Sequence, residues 1–392
     1  MRILHTSDWH AGKKNNDISR KDDLIYALGE IKKIVNEEKV DCILVAGDLF
    51  DKQNPPIEVQ EIIWDFFLDM NSKGVKSLII SGNHDSHDFL KSVKKLLGLA
   101  NVKVFPYYER EQLFTYEKDG ENVCFAAIPY IPPSFVNKII PEEDLTKDKR
   151  SAEYSELLSQ IVKKLGALAA QKGTAILVAH MALMSAKPSG TEKEISLLYE
   201  YSVDERKIPA DFKYCALGHI HRFQKIQSPN SKIYYSGTIY QIDFGEKDEK
   251  KFVILLNVKN GNIEEREIQL DLKRTLKEFE FDLEKEKLDG IIMKLKSYPM
   301  DIKKIKLKVP PSIPFQKVVE IKNKIMKEVE FVAYLEEKIN EVKTNQNIAN
   351  VEIGEENIFK IYKSYFLEKK RKEEDFNKVI QKIEEIMRTQ DE

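Results

Sequence analysis

Five short apolar runs each deliver a histidine, an aspartate or an asparagine at their far end, and no other feature constrains the chain so tightly. The runs are Arg2–Ser7, Asp41–Ala46, Lys76–Ser81, Thr174–Ala179 and Lys213–Leu217. They lead into SDWH, GDLFD, GNHD, AH and GHIH. Aliphatic, β-branched runs of this length read as buried strands. Between them Leu24, Ile25, Leu28, Ile31 and Val35 recur at helical spacing, as do Leu157, Leu158, Ile161, Leu165 and Leu168. Strand then helix, repeated, predicts an α/β layered sandwich whose site sits in the loops at the strand ends. Hairpin signals at Asp119-Gly120 and Asn260-Gly261 add antiparallel strands, so the sheets should be mixed.

The spacing within the motifs has a chemical meaning. Residues two apart in extended chain point the same way, so Asp8 with His10, and His219 with His221, can each aim two ligands at one centre. Gly47 lets Asp48 approach closely enough to bridge two cations, and Asn83 adds a neutral oxygen after the tight turn at Gly82. With His180 the set is two aspartates, four histidines and one asparagine, or four ligands for each of two ions if Asp48 is shared. Nitrogen and oxygen donors without thiolate suit manganese, iron or zinc better than calcium or magnesium. Two dications less two carboxylates leave a charge of about two plus, which attracts a phosphodiester. His84 adjoins Asn83 without being needed as a ligand, which makes it the candidate general acid, with Asp85 expected to fix its tautomer. Any one of these histidines alone would more often be a satisfied core residue. His5, inside a strand, and His87, near a helix start, get that plain reading.

Bulk charge does not supply the attraction. Lys+Arg is 63 and Asp+Glu is 65, a net charge of -2, which excludes a binder that works by overall positive charge. At 392 residues the chain exceeds one hydrophobic core, and two or three domains are expected. Cys42, Cys124 and Cys215 each sit in an apolar run and make neither a disulfide framework nor a zinc site. No stretch is apolar enough to span a membrane, and the opening MRILHTSD reads as a strand. A cytoplasmic protein is expected.

Beyond Leu270 lysine and glutamate become dense and glycine nearly disappears. Strand-like Lys304–Val309 between helical stretches Glu284–Ser297 and Phe315–Val329 predicts a small α/β domain. Its alternating Lys304, Lys306 and Lys308 either contact phosphates or guard an edge strand. A polar stretch over 344–350 reads as a linker. Two amphipathic helices follow over 351–392, one with Ile358, Phe359, Tyr362, Tyr365 and Phe366, the other with Phe376, Val379, Ile380, Ile383 and Met387. A pair this small buries little alone, and either folds back on its own body or docks another protein.

These motifs resemble the calcineurin-like metallophosphoesterases, whose D-x-H, G-D, G-N-H-[DE], H and G-H-x-H elements stand here as DWH, GD, GNHD, AH and GHIH. ILHTSDWHAGK, GDLFDKQNPP, ALGHIHR and YSGTIYQIDFGE narrow the resemblance to the SbcD-type DNA double-strand-break repair nucleases, related to the meiotic-recombination nucleases. It spans about residues 1–250. It implies a metallophosphoesterase sandwich of mixed sheets flanked by helices over 1–268, a DNA-capping domain over 269–343, and a helical ATPase-binding module over 351–392. It further implies two manganese ions. Asp8, His10, Asp48 and His221 would hold the first, and Asp48, Asn83, His180 and His219 the second, with His84 as transition-state stabiliser and acid. The implied partners are DNA and an SMC-like ATPase of the SbcC type, and the implied reactions are exonuclease and endonuclease cleavage. Such proteins dimerise through helices near the site, here 58–71 and 88–99, where Ile62, Ile63, Trp64, Phe66, Phe67, Phe89, Leu90, Val93 and Leu97 exceed one apolar face. Asp51 departs from the histidine some relatives carry there, which leaves its role open. A small-substrate phosphodiesterase is the competing expectation, and a DNA-end tether another. The length beyond Leu270 argues against the first, the intact ligand set against the second.

Overall fold

The computed structural model describes residues 1–109, 112–138, 147–189 and 201–339. The chain divides into compact units at 1–340 and 341–392, so the expected linker and helix pair lie outside the described residues.

Two six-stranded sheets form the body. The first runs β14-β13-β1-β4-β5-β6, built from β1 (Arg2–Thr6), β4 (Cys42–Ala46), β5 (Lys76–Ile80), β6 (Val102–Phe105), β13 (Lys251–Lys259) and β14 (Asn262–Leu270). The second runs β11-β12-β10-β9-β8-β7, from β7 (Leu113–Lys118), β8 (Glu121–Ile128), β9 (Thr174–His180), β10 (Phe212–Gly218), β11 (Gln224–Ile226) and β12 (Lys232–Tyr235). β1, β4, β5 and β6 are parallel, as are β8, β9, β10 and β12, while the hairpins β7/β8 and β13/β14 are antiparallel. Both hairpins turn on two residues with positive φ, Asp119-Gly120 and Asn260-Gly261, which is the turn their sequences predict.

Strand alternation sorts the core into layers. Ile3, Leu44, Leu78 and Ile80 face Phe125, Ile176, Val178 and Ala216 between the sheets. Leu4, Ile43, Val45 and Ile79 face outward onto α1 (Lys21–Glu37), α2 (Ile57–Ser72) and α3 (His87–Leu99). On the other side Leu177 and Leu217 meet Leu158, Val162 and Leu165 of α4 (Lys147–Ala170). The result is helix, sheet, sheet, helix. The parallel strands β1, β4, β5, β9 and β10 are buried on both faces, which is why their runs read as continuous apolar stretches. A two-stranded ribbon of β2 (Lys14–Asn15) and β3 (Ile18–Ser19) leads into α1.

A third, all-parallel sheet, β15-β16-β17, is made of Leu276–Asp282, Ile302–Val309 and Val332–Ile339, with α5 (Leu288–Lys296) and α6 (Phe315–Glu328) as crossovers. β16 is its central strand, so the edge-strand expectation for Lys304–Val309 is wrong. Each of these lysines pairs with a glutamate. Lys304 pairs with Glu336 at 3.0 Å, Lys306 with Glu278, and Lys308 with Glu280 at 2.5 Å, because the parallel register lines acids beside them. Among the described residues no helix is long and apolar enough to cross a membrane.

Candidate metal centre

All the singled-out side chains emerge at the carboxyl ends of parallel strands. Asp8 and His10 follow β1, Asp48 follows β4, Asn83 follows β5, His180 ends β9, and His219 and His221 follow β10. Because β1, β4 and β5 neighbour one another in one sheet, and β9 and β10 in the other, these ends meet across the sandwich. The backbone is strained to aim them. Asp8, His10, Asp48 and His219 all have positive φ, of 50, 43, 49 and 96°. Four such non-glycine residues at one place, each disfavoured by roughly 1–3 kcal/mol, are a mark of function. The motif glycines clear the space. A Cβ at Gly82 would lie 2.0 Å from Asp48 Oδ1, and one at Gly47 would lie 2.1 Å from His180 Nδ1.

The imidazoles turn nitrogens inward, and His180 has its other one fixed. His180 Nδ1 lies 2.8 Å from the Ala46 carbonyl, which only accepts, so Nδ1 carries the proton and Nε2 presents its lone pair. His221 Nδ1 lies 3.2 Å from Glu246 Oε1, and His10 Nδ1 lies 3.4 Å from Asp51 Oδ1. The inward atoms crowd together. His10 Nε2 is 3.2 Å from His221 Nε2, while Asn83 Oδ1 is 3.0 Å from His180 Nε2 and 2.9 Å from His219 Nδ1. Asp48 Oδ2 stands 3.3 Å from His180 Nε2 and 3.7 Å from His10 Nε2. Asp8 accepts from Ser7 Oγ at 2.5 Å and from the His219 amide at 3.0 Å. Lone pairs that converge in a buried place with few protons between them are what a cation needs. Asp8, His10 and His221 form one candidate ligand group; Asp8, Asp48 and His180 form another. The residues fit a metal pair.

The electrostatics differ from ligand to ligand. Burial raises the Asp8 carboxyl to about 6, with His180 and His221 opposing it. Burial also lowers His10 to about 4 and His219 to about 3, so both stay neutral and available as ligands. His180 runs the other way. Burial opposes its charge, but Asp48 and Asp8 outweigh that and raise it to about 9. Burial would likewise raise Asp51, but His10 and Lys13 hold it at about 2.

Two expectations change. Asp85 does not orient His84. Its carboxylate accepts from the amides of Gly82 at 2.8 Å, Phe50 at 2.9 Å and Leu49 at 3.2 Å, tying the GN turn to the GD loop. The His84 ring instead meets the Asp51 carbonyl through Nδ1 at 3.0 Å, leaving Nε2 free to face the centre, and its own amide donates to Asp48 Oδ1 at 2.8 Å. The other is Glu246, which sequence reasoning missed. It is fully buried and sits at the end of YSGTIYQIDFGE, a phrase legible beforehand only as a likeness. His5 is the core histidine expected, bonded to Tyr214 Oη at 3.0 Å and the Leu217 carbonyl at 3.2 Å. His87 starts α3 and meets the Gly82 carbonyl at 3.2 Å.

Residues 1–223 match the family described as calcineurin-like phosphoesterase. The chain belongs to that family. This phosphoesterase is also similar to bacterial proteins named as the D subunit of the nuclease SbcCD. It is 29% identical to that of Bacillus subtilis over 266 residues, 67% of each chain. Against the Staphylococcus epidermidis protein it is 29% identical over 289 residues, 72% of this chain and 73% of the relative. The Escherichia coli K12 protein is 27% identical over 274 residues, 67% of this chain and 66% of the relative. The phosphoesterase is thus a metal-dependent hydrolase of phosphate esters.

Proposed function

We propose that this phosphoesterase is a DNA exonuclease and endonuclease of double-strand-break repair that works with two manganese ions. One observation carries the reading: seven side chains from five strand ends turn their ligand atoms onto one buried centre. The similar proteins are named as a nuclease subunit, which supports a nucleic acid, here taken as DNA, as the substrate. Asp8, His10, Asp48 and His221 would hold one ion, and Asp48, Asn83, His180 and His219 the other. When bound, such ions supply Lewis acidity and charge compensation at the phosphoryl group.

The chain's own groups do the rest. Ala46 and Glu246 hold His180 and His221 in the tautomer that leaves Nε2 unprotonated. With Nδ1 held by the Asp51 carbonyl, a protonated His84 keeps its second proton on Nε2. There it can pass the proton to the departing sugar oxygen. Asp85 keeps the Asn83 and Asp48 loops in register.

The third sheet acts as a cap over 269–343 that orients DNA, and residues 351–392 dock an SMC-like ATPase of the SbcC type. Leu68 on α2 and Leu96 and Leu99 on α3, 54%, 69% and 83% exposed, add apolar surface for a homodimer, although Ile63, Phe66, Phe67, Leu90 and Leu97 are spent inside the chain. A cytoplasmic location suits a DNA enzyme of this kind. Manganese-dependent digestion of linear duplex DNA, run beside hydrolysis of a chromogenic phosphodiester, tests the substrate. Degradation of the duplex is expected; hydrolysis of the small diester alone would reject the nuclease reading.

A further inference from the structure

We propose that Glu246 is a positioning residue that couples the seat of the third sheet to the metal ligand His221. The inference rests on the metal-pair reading above. Glu246 is fully buried, and its two oxygens serve different groups. Oε1 faces His221 Nδ1 at 3.2 Å. Oε2 takes Lys251 Nζ at 2.7 Å, Thr238 Oγ1 at 3.0 Å and the Ile242 amide at 3.2 Å. Four partners from a loop and a strand leave the carboxylate one position, and that position sets the His221 ring. A carboxylate on the outer nitrogen fixes the tautomer and raises the basicity of the inner one.

The same short turn, Phe244–Glu246, is held from its other side by the third sheet. Phe244 clusters with Leu276, Ile302 and Ala333, and its ring centroid is 5.6 Å from that of Tyr334. Gln241 Oε1 accepts the Leu276 amide at 2.9 Å, while its Nε2 donates to the carbonyls of Lys247 and Glu249, both at 3.0 Å. Lys247 reaches Glu278 on β15 at 2.8 Å. A displacement of β15 therefore pulls on the turn, the turn carries Glu246, and Glu246 carries His221. No other ligand of the centre is braced by this turn among the described residues. His180 is held by Ala46 inside the first sheet, and His10 faces Asp51. Coupling of this kind is reciprocal: an ion at His221 steadies the third sheet, and a ligand that moves the sheet loosens that ion.

Manganese titration of the full-length chain by calorimetry, without DNA, reads the proposal directly. Glu246→Gln is expected to weaken one of two binding events by about 10–100-fold, the usual loss when a metal ligand's outer partner is removed. The other event should keep its affinity. Since Glu246→Gln leaves the Lys251 ammonium less compensated, Glu246→Gln with Lys251→Met keeps the test valid if the single variant fails to fold, and should show the same selective loss. Phe244→Ala touches no metal ligand and is expected to weaken that same event by a smaller factor. The electron paramagnetic resonance signature of a coupled manganese pair should fade in the same order. Native affinity for both ions in the Glu246 variants overturns the positioning role, and native affinity in Phe244→Ala overturns the coupling. A parent chain that takes up no manganese would instead overturn the metal-pair reading beneath both.

Discussion

His84 shows how little of a residue's chemistry lies in its neighbours in sequence. Its ring is held by the main chain of Asp51, 33 residues away, while the adjacent Asp85 turns to three backbone amides. His84→Ala should keep both ions and lose cleavage by about 10²–10⁴-fold, the span of general acid catalysis. Metal analysis beside duplex digestion checks this, and normal cleavage by the variant would remove His84 from the mechanism. His5 makes a prediction about stability instead. Burial lowers it from 6.5 to about 3, against a smaller opposing pull from the Leu217 carbonyl. Between those values the unfolded chain binds a proton the folded chain refuses, so stability falls as pH drops below 6.5. The slope is about 1.4 kcal/mol per pH unit. Urea unfolding of metal-free protein at pH 6.5 and pH 5 should show this loss, and His5→Gln, which cannot titrate, should reduce it. An equal loss in both proteins would refute the assignment.

At the scale of elements, the parallel strands were legible because each is buried on both faces and writes an unbroken apolar run. The third sheet was harder. Its lysines alternate as an edge strand's would, yet β16 is central, because the glutamates that neutralise them come from β15 and β17. A second junction, also unmarked in sequence, ties α1 to the approach to β15. Asp23 accepts from Arg20 Nε at 2.7 Å and from Arg274 Nε at 3.0 Å, with Arg20 fully buried and Arg274 5% exposed. Asp23→Ala leaves two guanidiniums without their carboxylate and should cost about 3–5 kcal/mol. Thermal unfolding reads the loss, and a melting temperature within a degree of the parent would show that the triad is dispensable.

Among the described residues, a centre made by two sheets meets a third sheet at the turn that carries Glu246 and at the Asp23 junction; residues 351–392 lie outside them. If that segment docks an ATPase, deleting residues 351–392 should leave manganese-dependent DNA cleavage intact and abolish copurification with the ATPase. Unchanged copurification would move the partner site into the body of the chain.

By itself the sequence determined the strand-and-helix alternation, the two hairpin turns and which residues are candidate ligands, all of which depend on residue type and spacing within a dozen positions. Only the tertiary structure decided which nitrogen of each imidazole points inward, what Asp85 and Asp51 hold, and that Glu246 stands behind His221. Apart from the Gly82 amide, three residues from Asp85, those facts depend on backbone groups and carboxylates 25 to 134 residues away from the histidines or amides they touch, and a chain records no local pattern for a partner brought in by the fold.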